Sequence, residues 1–322
     1  MPVKKKLLLC GATGFIGRNV LAHFLARSEY QVYAVCNRRS LPRNLLRNKN
    51  LTIVRADLTI ASHVERAVAG KDIVVQAAAA TSGSKDIAAN PHLHVTDNAV
   101  MNALIFRACH DHKVGHVIFF SCTIMYPSGT TPAKETDFEH VITNKYFGAG
   151  WTKVYNEKMC EFYSRIGSTK YTAIRHSNIY GSYDKYDLEK SHVFGATVAK
   201  VMNAEGGKVA VWGSGREARD LLYVDDLMEF LDACLARQKT PFELVNVGAG
   251  RAIPVADLVR KIISLSGKKL RIEFDKTKPT IPFNLATDCG RAKRIYGWAP
   301  KTSLDEGIKK SLRWYLDNYA EK

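Results

Sequence analysis

No stretch of this 322-residue chain approaches the roughly 18–20 consecutive apolar residues that a membrane span requires. Cysteine is sparse: seven residues, an odd number, with no CxxC spacing. That argues against a disulfide framework or a metal site of the zinc type, and for reduced thiols in a cytoplasm. Acidic residues are in deficit, 31 against 47 Lys and Arg, a formal charge of +16. Such an excess raises nucleic acid as a partner. Yet the basic residues are dispersed, apart from Lys4-Lys5-Lys6 and the stretch from Arg38 to Arg47, and no aromatic-interleaved platform accompanies them. The reading is a solvated basic surface, partly serving an anionic small ligand, with no nucleic-acid partner. No repeat or low-complexity linker divides the chain.

What is present is alternation. The opening "MPVKKKLLLCGATG" is basic then apolar, as a leader would be, but its short apolar run enters a glycine loop and reads as a first strand. Residues 7–10, "QVYAVC" (31–36), "LTIVRAD" (51–57), "IVVQAAA" (73–79) and "HVIFFSC" (116–122) are strand-like. Helical patterns such as "ASHVERAVAG" and "NAVMNALIFRACHDH" lie between them. Strands that are apolar throughout, alternating with helices, predict a doubly wound parallel α/β sheet of Rossmann type. After Ile174 the pattern becomes mixed, with a helix near Val193–Asn203, strands at "KVAVWG" and "ELVNVG", and a final helix ending in "SLRWYLDNY". Residues 1–174 therefore read as a dinucleotide-binding domain. Residues 175–322 read as a smaller α/β domain packed on it, mainly for substrate, with the cleft between.

"GATGFIG" (Gly11, Thr13, Gly14, Phe15, Ile16, Gly17) follows the first strand and opens the first helix, where backbone N–H groups and the helix dipole suit a pyrophosphate. At the end of the second strand an NAD enzyme places a carboxylate for the ribose hydroxyls. Here stand Cys36-Asn37-Arg38-Arg39, two guanidiniums that match a 2′-phosphate, so NADP is favoured over NAD. Asp57 and Leu58 are expected near the adenine, and the small residues Ala77, Ala78 and Ala79 where the chain passes the cofactor.

"GATGFIG", "SCTIMYP" (121–127), the helix carrying Lys153, "SNIYG", "SHVFGATVAKV", "VAVWGSGREARDLLYVDD" and a closing "GW.P...L.EGI" occur in that order. With them the chain resembles the extended short-chain dehydrogenases/reductases, the nucleotide-sugar epimerase/dehydratase family. Its closest likeness there is to the GDP-fucose synthase branch, NADPH-dependent GDP-4-keto-6-deoxymannose epimerase-reductases. The resemblance covers nearly the whole chain, and it implies NADP-dependent reduction, with or without epimerisation, of a nucleotide-activated 4-keto sugar. It also implies catalytic roles for Lys153, for Cys122 and Thr123 near the sugar oxygen, and for His192 as acid. Asn178 and His192 would meet cofactor and sugar, and Lys200, Trp212, Arg219 and Lys278 would bind the sugar nucleotide.

Two departures stand out. Ile124 replaces the branch's epimerisation cysteine, which puts epimerisation in doubt, and Ile124-Met125 replace the Asp-Glu of dehydratases. More seriously, the family pairs Tyr with Lys at i and i+4, and the tyrosine position is Ala149. A natural loss would leave a silent NADP- and sugar-nucleotide-binding protein. Tyr146 or Tyr155 would have to substitute from other positions, Tyr155 on another helical face and Tyr146 nearly two turns before Lys153. The remaining reading is replacement of a native tyrosine, of the kind that traps a ligand. An NAD-dependent 4-epimerase stays open as an alternative. A C2 homodimer is expected through a helix near Asn98–Asp111 (Val100, Ala103, Leu104, Ala108) and one near Thr152–Arg165 (Val154, Met159, Phe162, Tyr163).

Overall fold

The computed structural model describes residues 3–80, 90–188, 191–278 and 283–319. Seven strands form one parallel sheet: β1 (Lys5–Cys10), β2 (Tyr30–Cys36), β3 (Leu51–Arg55), β4 (Ile73–Gln76), β5 (His116–Phe120), β6 (Lys170–His176) and β10 (Phe242–Val247). Their order is β10-β6-β5-β4-β1-β2-β3, so the direction of winding reverses between β1 and β4. A crevice opens at such a reversal, beyond the carboxyl ends of the strands.

The strands are apolar throughout because both faces are covered. Leu7 and Leu9 of β1 enter one core with α1 (Phe15–Leu25), α6 (Val224–Arg237) and α8 (Gly290–Tyr296). Leu8 and Cys10 point the other way, into a core with α2 (Ala61–Val68), α3 (Thr96–Asp111) and α4 (Phe147–Ile166). The double winding read from the sequence is thus present.

The rest of the second half forms a smaller α/β body. The sheet β11-β9-β7 (Ala252–Pro254, Ala218–Tyr223, Asn178–Tyr180) and the pair β12-β8 (Arg271–Asp275, Lys208–Trp212) pack with α5 (Val193–Met202), α7 (Val255–Ser266) and α9 (Leu304–Asn318). "ELVNVG" lies elsewhere: as β10 it is the edge of the main sheet, paired with β6. Among the described residues no helix is long and apolar enough to cross a membrane.

Candidate functional site

The glycine loop is built for close approach. Gly11 has φ +82°, and a Cβ there would lie 2.6 Å from the Ala78 backbone nitrogen; one at Gly17 would lie 2.0 Å from the Gly11 carbonyl oxygen. Gly14 is exposed, and a Cβ there would meet nothing closer than 3.4 Å. Gly14 caps α1 without a side chain, and the first turn carries no acidic group. Thr13, Phe15 and Ile16 are half-buried around this opening. The result is an uncapped helix N-terminus facing a small-residue strand end, Ala77 to Ala79, which fits a dinucleotide pyrophosphate.

At the far end of the crevice, Arg38 and Arg39 are exposed beside Asn37. Arg55, at the end of β3, donates to the Asn37 carbonyl at 3.2 Å and to Ser40 Oγ at 2.9 Å, bracing this loop. The Asp57 carboxylate accepts from Thr59 Oγ1 at 2.7 Å and Thr59 N–H at 3.0 Å; these bonds hold its pKa below the usual value. Leu58, expected near the adenine, differs from its neighbour: it is buried in the core beside Val35, Ala56 and Val64, so its side chain packs the fold.

Beyond β5 the chain delivers Ser121, Cys122 and Thr123. Lys153, on α4, donates from Nζ to the Phe120 carbonyl at 2.7 Å and sits 4.9 Å from the Phe119 ring centre. Lys153 and Cys122 are each partly accessible, yet burial lowers the pKa of the ammonium and raises that of the thiol, each countered by the other's charge. Solvent access combined with desolvation marks a concave site. Thr123 is buried beside them. Ala149, one turn before Lys153, is half-buried and brings only a methyl group.

The two alternative tyrosines separate cleanly. Tyr155 is 55% exposed on the outer side of α4. Tyr146 caps the helix entry and packs against the buried cluster of Met125, Ile142 and Val154, which Cys122 and Trp151 also border. Burial raises the pKa of its phenol, while Arg219 pulls the other way. Distance along the helix from Lys153 therefore understates how near Tyr146 comes to the residues after β5.

Beneath these groups lies a polar network that the motifs left unnoticed. Glu157 accepts from Arg175 Nη2 at 2.7 Å and from Ser121 Oγ at 2.5 Å. Arg175 also donates to the Tyr126 hydroxyl at 3.0 Å, which donates to Asn246 Oδ1 at 2.7 Å. Glu157 stands four residues beyond Lys153 on one helical face, the one signal the sequence offered. His176, at the end of β6, was missed as well. Its pKa is lowered to about 4, chiefly by burial, with small contributions from Lys153 and His192.

The opposite wall comes from the second half. His192 caps α5; it is accessible, yet desolvation lowers its pKa. Lys200, in the last turn of α5, donates to the Ala210 carbonyl at 3.2 Å and lies 5.0 Å from the Trp212 ring centre. Trp212 is 46% exposed and is the register partner of Asp275, three residues before the exposed Lys278. Asn178 ties β7 to β9 through the Asp220 carbonyl at 3.2 Å. Arg219, next on β9, is half-buried with its pKa lowered by burial. Among the described residues no group of three or more His, Cys, Asp or Glu is placed to hold a metal ion.

Curated relatives align over nearly the full length. GDP-L-colitose synthase of Yersinia pseudotuberculosis is 28% identical over 320 residues, covering 97% of this chain and 98% of that protein. GDP-L-fucose synthase of Azorhizobium caulinodans is 28% identical over 326 residues, covering 97% and 96%. In fold the chain is similar to the UDP-glucose 4-epimerase of Thermotoga maritima solved with UDP-glucose, at TM-score 0.85 and 23% identity, covering 98% of this chain and 100% of that one. The UDP-glucuronic acid 4-epimerase of Bacillus cereus, solved with UDP-glucuronic acid and NAD, superposes at TM-score 0.85 and 22% identity, with 98% and 100% covered. Residues 7–248 match the model of the NAD dependent epimerase/dehydratase family, and the chain belongs to that family.

Proposed function

We propose that this chain binds NADP and a nucleotide-activated hexose and acts at C4 of the sugar, reducing a 4-keto-6-deoxy substrate whose nucleotide is GDP. The carrying observation is the trio after β5: the desolvated Lys153 ammonium, Cys122 facing it, and Ala149 one turn away. The names of the aligned relatives support a GDP-linked sugar. Arg38 and Arg39, with no carboxylate beside them, support a 2′-phosphate.

When bound, the dinucleotide supplies hydride. Gly11 to Gly17 would hold its pyrophosphate, and Lys153 its nicotinamide ribose. Cys122 and Thr123 would orient the sugar oxygen, with Asn178 and His192 completing that wall. Trp212, Lys200, Arg219 and Lys278 would take the base and the two phosphate charges. Residues 1–174 would then carry mainly the cofactor and 175–322 mainly the sugar nucleotide, β10 being lent to the first sheet. We read the protein as a cytoplasmic homodimer.

Reduction leaves an alkoxide that needs a proton, and a tyrosine at position 149 would supply it, its pKa lowered by Lys153. Ala149 supplies none, so this chain is expected to turn over slowly. Ala149→Tyr should raise turnover by about 10²–10⁴-fold, the usual contribution of a positioned acid. A restored chain as slow as its parent on every GDP-, UDP-, dTDP- and CDP-sugar would sink the reading.

One observation favours a second reading: solved neighbours of the same fold carry NAD. Reversible 4-epimerisation with tightly held NAD needs the same residues and no net redox. The dinucleotide released on denaturation decides between them. NADP supports the reductase, and stoichiometric NAD promotes the epimerase. A protein that binds both ligands without turnover in either form would be a silent binder.

A further inference from the structure

We infer that Tyr146 delivers, in this chain, the proton that position 149 cannot; the inference rests on the C4 chemistry proposed above. Tyr146 precedes Ala149 by three residues and stands at the entry to the same helix. It caps α4 with φ −108° and ψ 7°, outside the helix proper, so its ring is not bound to the backward tilt of helical side chains. The ring borders the same apolar cluster as Cys122, whose charge bears on both Tyr146 and Lys153.

The other phenols nearby are committed. The Tyr126 hydroxyl donates to Asn246 and accepts from Arg175, and Tyr155 faces outward. Among the described residues the Tyr146 hydroxyl hydrogen-bonds to no other group, and the charged side chain bearing on it is Arg219. That guanidinium would favour a phenolate and also stands on the sugar-nucleotide wall.

The step balances simply. When bound, the reduced dinucleotide would supply hydride to the sugar C4, itself becoming oxidised. The ketone would become an alcohol as the carbonyl π pair moves to its oxygen and that oxygen takes the Tyr146 hydroxyl proton. The phenolate left beside Arg219 is reprotonated from water.

The test is a four-protein cycle: the parent chain, Tyr146→Phe, Ala149→Tyr and the double variant, assayed with NADPH and a 4-keto-6-deoxy GDP-sugar. Tyr146→Phe is expected to lower the parent's already slow turnover about tenfold, less than the roughly 10²–10⁴-fold of a well-placed acid. The same change beside a tyrosine at 149 should leave turnover nearly unchanged, because the proton then has another donor. Equal losses in both backgrounds would assign Tyr146 a packing role and overturn the inference. So would a parent with no turnover where Ala149→Tyr is active, or a Cys122→Ala loss larger than that of Tyr146→Phe.

Calorimetric titration gives a reading independent of turnover. Tyr146→Phe should weaken GDP-mannose several-fold and leave GDP unchanged; equal effects on both ligands count against a contact with the sugar. If Ala149→Tyr is also inactive on every sugar nucleotide, it is the C4 chemistry that fails, and the inference falls with it.

Discussion

Glu157 and Arg175 show how much rests on single residues behind the candidate site. Both side chains are about 4% exposed or less, and each is the other's charge partner. Removing one leaves an uncompensated buried charge, which costs about 3–5 kcal/mol. Glu157→Leu is therefore expected to lower unfolding stability by that amount in urea titrations; a loss under about 1 kcal/mol would mean Arg175 finds another acceptor. His116 and His176 are held neutral by burial, each pKa lowered from 6.5 to about 4. Between those values each of the two histidines holds more proton in the unfolded chain than in the folded one. Their joint contribution to stability therefore rises with pH across that window and falls as pH drops toward 4, against the opposite slope of the buried Asp184, whose pKa is raised to about 7. His116→Gln should remove about half of that dependence in thermal melts, and an unchanged slope would locate it elsewhere. Lys153, Cys122 and Thr123 were legible only through the motifs that carry the family resemblance, since the loop and the lysine stand far apart in the chain. The Glu157–Arg175–Tyr126–Asn246 network was not, because its members are 18 to 120 residues apart and meet only through the sheet.

Among the elements, the glycine loop stands between β1 and α1 where the sequence put it, whereas the entry to α4 lies elsewhere than expected. The sequence suggested a helix from about Thr152, whereas α4 begins at Phe147. Gly148 and Gly150 weaken helix propensity there. They are required by packing instead: a Cβ at Gly148 would lie 2.7 Å from Val95 Cγ2, and one at Gly150 would lie 2.9 Å from Ile142 Cδ1. Tertiary contact overrides propensity, and it carries Ala149 and Tyr146 to the site. The same geometry separates two glycines of the cofactor loop. Gly17→Ala forces a methyl onto the Gly11 carbonyl and should lower the melting temperature as well as abolish dinucleotide binding. Gly14→Ala has room in the fold and should melt within about 2 °C of the parent while binding NADPH more weakly, a methyl now standing where the pyrophosphate approaches. Equal melting losses for the two variants would contradict this account of the loop.

For the whole molecule, we propose that the surface of α3 and α4 meets a second copy. Several residues read as an apolar contact face turn inward: Ala108 is buried against the sheet side and Val154 against Met125 and Ile142, while Ala103, Leu104, Met159 and Tyr163 are half-buried. What remains outward is sharper than the sequence pattern suggested. Tyr155, Met159, Phe162 and Ile166 follow i, i+4, i+7 and i+11 spacing along one stripe of α4, and Tyr155, Phe162 and Ile166 are 53–55% exposed. Val100, 40% exposed, stands on the neighbouring α3. Ion pairs lie along the same helices, Arg107 with Asp111 and Glu161 with Lys158 and Arg165, as a polar rim around an apolar centre would require. A face of this kind is self-complementary across a two-fold axis, since each copy presents the same two helices. It would also clamp α4, the helix that positions Lys153, Ala149 and Tyr146. The chain should therefore run at twice its monomer mass in light scattering at micromolar concentration, and the double change Tyr155→Glu with Phe162→Glu should yield monomers without unfolding the sheet. A parent chain that is already monomeric under those conditions would show the stripe to be covered by something else, and α4 to hold its catalytic side chains without a partner.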